Sequence, residues 1–194
     1  IYRVTYPGRP LVKPARVDGA SIDELLENLK LPEYRARFRT RRELRERDGD
    51  KVAAEAVSWA GKQKEEHHKL EALWVTWGAD RVNAELLEEL LNSKDHRIRS
   101  AAVRVARFNE HRLKDLVTIL KRAAADPHGR VRLEAIAAAS YQNEEEGRAI
   151  LEIVKASGID DHMKESFEFA EGIFSGAPVK EETNLRISAP AHLS

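Results

Sequence analysis

Five of the seven histidines, His67, His68, His96, His128 and His162, fall near the starts of amphipathic stretches. An imidazole at such a place can ligate a metal or edge a haem, or it can serve structure alone. Spacing decides between these roles. Neighbouring helices stand ~10 Å apart, whereas two ligands of one metal lie roughly 4 Å from each other. His67 and His68 are adjacent in sequence and diverge by about 100° on a helix, so they chelate poorly together. These histidines therefore read as structural or solvated. The chain has no cysteine, which excludes a disulfide, a thiolate nucleophile, a zinc knuckle and c-type haem attachment within it. It contains no Gly-rich phosphate loop, no HExxH and no GxSxG. The expectation is no catalytic residue, no bound cofactor and no metal.

A second chemistry is anion binding. Arg35, Arg37, Arg39, Arg41, Arg42, Arg45 and Arg47 stand against Glu33, Glu43, Glu46 and Asp48, a local balance of +3. A phosphate-binding groove needs such cations on one face in every repeat of the structure. Later stretches instead carry Glu85, Glu88 and Glu89, then Glu144, Glu145 and Glu146. The arginines can also pair along the helix, Arg39 with Glu43 and Arg42 with Glu46. The balance goes against nucleic acid, with a basic concave face for a duplex as the competing reading. Among the aromatics, Trp74 and Trp77 are three apart and share a helix face with Trp59 nearby, as core or as an interaction anchor. Phe167, Phe169 and Phe174 suggest an aromatic surface near the far end.

These residues sit on an internal repeat. Lys69-Leu70-Glu71-Ala72-Leu73 matches Arg132-Leu133-Glu134-Ala135-Ile136, and Arg99-Ser100-Ala101-Ala102-Val103 has the same shape. Cations recur at Arg37, Lys69, Arg99, Arg132 and Lys164, at intervals of 32, 30, 33 and 32 residues. Each unit holds two helical stretches. The first helices are expected near 21–29, 51–62, 83–92, 111–125 and 144–156, the second near 33–47, 65–77, 95–107, 129–141 and 160–174. Ser21-Ile22-Asp23-Glu24 has the form of a capping box. Leu86, Leu87, Leu90 and Leu91 form one apolar stripe, as do Leu116, Ile119, Leu120 and Ala123. Antiparallel helix pairs at constant period predict an all-α solenoid of about five hairpins over residues 21–174.

The segment Ala125-Asp126-Pro127-His128-Gly129-Arg130-Val131-Arg132-Leu133-Glu134-Ala135 resembles a HEAT repeat, with its Asp-Pro turn, Val-Arg pair and small-residue helix. The resemblance implies a structural ladder in which Asp126 pairs with Arg132 and caps the second helix, with Arg37, Lys69, Arg99 and Lys164 as the equivalent cations. The pattern drifts elsewhere: Ser93 replaces the Asp before Arg99, and Lys164 and Phe167 depart from it in the last unit. The order IYRVTYPGRPLVKP, ELLENLKLPEYRARFRTRRELRERD, HHKLEALWV, DHRIRSAAVRV, ADPHGRVRLEA is similar to a segment of the large multidomain haem-binding, membrane-bound dehydrogenase-like proteins of planctomycete-like bacteria. That resemblance implies a HEAT spacer between a propeller and a cytochrome c domain with a Cys-x-x-Cys-His motif, in an extracytoplasmic protein. It brings no catalytic residue to this chain.

Thirty-three basic and thirty-three acidic residues leave a net charge of zero, which argues against a generic polyanion binder. No apolar run approaches a membrane span. The ends read differently from the middle. Ile1–Tyr6 alternates like a strand, so residues 1–20 read as a β remnant and linker left from an upstream domain. Residues 175–194, with Pro178 and Pro190, read as an extended arm that adds no sixth hairpin. The sequence thus points to a scaffold whose partners are domains of the same parent chain or another protein.

Overall fold

The computed structural model describes residue 8, residues 13–113 and residues 115–176, and among these the protein is all helical. The expected β remnant at 1–6 and the arm beyond 176 lie outside the described residues. Ten α-helices occur: α1 (Ile22–Asn28), α2 (Tyr34–Arg45), α3 (Gly49–Gly61), α4 (Glu66–Gly78), α5 (Ala84–Leu91), α6 (His96–Arg107), α7 (Leu116–Ala124), α8 (Gly129–Ala139), α9 (Glu144–Ser157) and α10 (Asp161–Ser175). The chain divides into two compact units, residues 1–116 and 117–194.

Helix starts follow local chemistry. Ser21 caps α1 in a full capping box, its hydroxyl accepting from Glu24 N–H while Glu24 accepts from Ser21 N–H. Asp48, Asn83, Asp95, Asn143 and Asp160 each accept from main-chain N–H groups in the first turn of the next helix. In the first unit α1 pairs with α2, α3 with α4 and α5 with α6, while α1 lies on α3, α2 on α4 and α4 on α6. Leu25, Leu26, Leu44, Val52, Leu73, Leu87, Leu90 and Val103 are buried at its centre. The expected apolar stripe of α5 is buried in full.

The end of α4 is a Schellman turn whose left-handed position is not glycine. Asp80 N–H donates to Trp77 O and Arg81 N–H to Thr76 O, and Asp80 takes the left-handed φ of 56°. Its carboxylate holds Arg112, beside a departure from the helix expected over 111–125. Glu110–Arg112 is instead a single 3₁₀ turn, and α7 begins only at Leu116. Asn109, buried, closes the end of α6 by donating its side-chain amide to Val105 O at 2.7 Å.

In the second unit α8, α9 and α10 pack on one another. Their approach is set by Gly147. A Cβ at that position would lie 2.2 Å from Cζ of Phe174 and 2.8 Å from the carbonyl oxygen of Ala139. Alanine is the better helix former by ~1 kcal/mol, yet Gly147→Ala should lower stability by about 1–3 kcal/mol through overpacking. Thermal unfolding of the variant checks this, and an unchanged or raised midpoint would contradict it.

Candidate functional site

The repeated cations are the natural place to look, because their spacing marks equivalent places in successive hairpins. Arg37 donates from Nη1 to the carbonyls of Leu31 (2.6 Å) and Pro32 (2.9 Å). Arg99 donates from Nη1 to Ser93 (2.9 Å) and Lys94 (3.1 Å). Arg132 donates from Nη1 to Asp126 (2.8 Å). In each case the guanidinium reaches back over the turn between the first and second helix. The carbonyls it meets lie just past a helix C-terminus, where intrahelical donors have run out. In Arg37 and Arg99 the one Nη1 nitrogen meets two such oxygens. Lys69 goes elsewhere, to Glu89 Oε1 on α5 at 2.5 Å. Lys164 is exposed on α10. The five equivalent cations therefore do two different things, divided by side-chain type.

Arg132 meets Asp126 at the main-chain oxygen, and the Asp126 carboxylate accepts from His128 N–H at 2.8 Å. The cap of α8 is His128, whose Nδ1 accepts from Arg130 N–H at 3.1 Å, so Asp126 does not occupy the capping position expected of it. Pro127 intervenes, and the extended backbone at His128 places the imidazole, not the carboxylate, over the first turn.

Glu71 is the residue the motif search passed over. It is 1% exposed on α4, with Arg37 Nε 3.1 Å from Oε1 and Arg41 Nη1 2.5 Å from Oε2, both from α2. His67 Nε2 stands 3.8 Å from Oε1. Arg41 also lies over the rings of Tyr34 (5.9 Å) and Trp74 (5.5 Å). One signal was available: Glu71 and Glu134, two residues after Lys69 and Arg132, occupy the same register, and Glu134 is likewise buried.

The three tryptophans have different partners. Trp59 is buried and donates from Nε1 to Glu27 Oε1 at 2.7 Å, with Lys30 Nζ 5.5 Å above its ring. Trp74 is half-buried beneath Arg41, and Trp77, also half-buried, stacks on the exposed Phe108 at 5.8 Å. The aromatic surface expected on α10 divides as well. Phe167 is buried with Met163 and Ala170, one helical stripe, and belongs to the core of the second unit. Phe169 lies off that stripe and is 54% exposed.

Electrostatics are local. The Lys30 ammonium, then the Trp59 N–H, hold the Glu27 carboxyl below its usual range. The Arg97 side chain, with its main-chain N–H, holds Asp95 down to about 2. Burial pushes the His68 imidazole below its ordinary 6.5, and its electrostatic interactions with His67 and Lys30 add to that, against Glu65 and Glu27. Unfolded chains then bind a proton at His68 that folded chains do not, so stability is present above pH ~6.5 and declines as pH falls through that value. Denaturant midpoints at about pH 7.5 and 5.5 should differ less in His68→Gln than in the parent. An equal pH dependence in the two would remove His68 as its source.

Among the described residues no group of three or more histidines and carboxylates is placed to hold a metal ion. No helix among them is long and apolar enough to cross a membrane. No protein-family model matches the chain, and neither does any curated protein or solved structure.

Proposed function

We propose that the chain is a HEAT-type solenoid segment acting as a non-catalytic scaffold. On this reading it is the spacer between a propeller dehydrogenase-like domain and a cytochrome c domain of a larger, extracytoplasmic redox protein. The observation that supports it best is the recurrence of one device, the arginine at 37, 99 and 132 that closes the turn inside a helical hairpin. A side chain repeated to fix the geometry of successive hairpins serves the regularity of a stack.

The test uses the purified chain. It should show no absorption band of bound haem or flavin, should not reduce a redox dye in the presence of sugars, and should bind the separately produced domains encoded beside it. A cofactor band, sugar-dependent dye reduction, or failure to bind either neighbouring domain would each overturn the reading.

A further inference from the structure

The outward side of α2 has no structural task in the helix pairs described above. Arg35, Arg39, Arg42 and Arg45 are all exposed there. Arg42 has only a long contact of 3.7 Å to Glu46, and Arg35 and Arg39 have no ion-pair or hydrogen-bond partner among the described residues. Between them stand Tyr34 and Phe38, 64% and 51% exposed, their rings stacked at 6.3 Å. Beside this face runs a groove of about 510 Å³, lined by three cations, Lys13, Arg35 and Arg39, by one carboxylate, Glu33, and by Pro14, Leu31 and Ala36 among its apolar residues. Unpaired guanidinium groups around exposed rings and an apolar slot form a surface awaiting a complementary charge.

We propose that this face docks an acidic peptide segment in which two alternate carboxylates and the next alternate side chain, an aromatic one, lie on the same side. Arg35 and Arg39 are four residues apart, ~6 Å along the helix axis. Alternate side chains of an extended peptide are ~6.6 Å apart. Two carboxylates on one side of such a peptide therefore meet two guanidinium forks in register, each able to take a bidentate pair. The aromatic side chain of the ligand enters the groove against Tyr34, Pro14 and Leu31, where ring stacking and burial add to the charge pairing. The same chemistry is weaker for a nucleic acid. From Arg35 to Arg42 the cationic row is only ~10 Å long, whereas tight polyanion binding depends on many phosphates neutralised along a track. This proposal is independent of the spacer reading.

The experiment is fluorescence anisotropy of the whole chain with two labelled probes at low salt. One is a synthetic peptide with glutamates at two alternate positions and phenylalanine at the next alternate position, the other a single-stranded oligothymidylate of twenty nucleotides. The peptide should bind saturably, more tightly than the oligonucleotide, and more weakly as salt is raised. The double change Arg35→Glu with Arg39→Glu should weaken it about tenfold or more, and Phe38→Ala should weaken it severalfold. All three side chains are exposed, and the helical circular dichroism should be retained; Arg35→Ala and Arg39→Ala singly give the same direction if the double variant is damaged. No saturable peptide binding, peptide binding indifferent to these changes, or a preference for the oligonucleotide would overturn the proposal. A chain with Arg104→Glu on α6, exposed in the same unit, should bind the peptide as the parent does.

Discussion

Replacing Glu71 by alanine should lower the stability of the first unit by about 3–5 kcal/mol, the usual result of removing one member of a buried ion pair. Glu71 is 1% exposed, and the side chains of Arg37 and Arg41 that converge on it are only 16% and 15% exposed. Without the carboxylate, two guanidinium groups in the cleft between α2 and α4 lose their counter-charge and repel each other. Neither can reach water without leaving the packing that holds it, Arg37 on the carbonyls of Leu31 and Pro32 and Arg41 over Trp74. Glu71→Gln keeps the shape and one accepting oxygen, so its loss should be smaller but of the same sign. Equilibrium urea denaturation followed by helical circular dichroism gives the numbers, and amide exchange should speed up first in α2 and α4. A loss below about 1 kcal/mol for Glu71→Ala would mean that the triad is dispensable to the fold, as exposed ion pairs are.

Arg132→Ala should cost the second unit about 2–3 kcal/mol, from two sources of similar size. The carbonyl of Asp126 loses its donor, a penalty of ~1–3 kcal/mol where the group stays out of water. The aliphatic stem belongs to a residue only 8% exposed, so its removal also forfeits packing. Arg132→Lys tests the two apart. It restores the stem and the charge but not the place of the Nη1 donor, so it should recover the packing part and leave the turn poorly closed. Lys69 illustrates the alternative, since the ammonium at the equivalent place of another hairpin pairs with Glu89. Full recovery by lysine would show that charge alone, not the reach of the guanidinium, closes the turn.

The helices are legible in the residues because short-range physics writes them there. The 3.6-residue apolar period and the Ser, Asp and Asn caps place the ten helices within a few residues of their positions, because helix hydrogen bonds and caps join residues at most four apart. The periodic cations marked the turn-closing arginines, whose contacts span five or six residues. Tertiary structure decided whatever depends on which helix meets which. Arg41 and Glu71 are 30 residues apart, and only the seating of α2 on α4 turns two ordinary surface-type residues into a buried pair. Arg112 and Asp80 are 32 apart, and their contact, at a 3₁₀ turn where the sequence pattern predicts helix, joins segments that only the fold brings together. Phe167 and Phe169 have the same chemistry two positions apart, a rotation of about 200° on the helix. The packing of α10 on α8 and α9 sends one inside and leaves the other in water, because burial belongs to a face and a face has an inside only once its neighbours are in place.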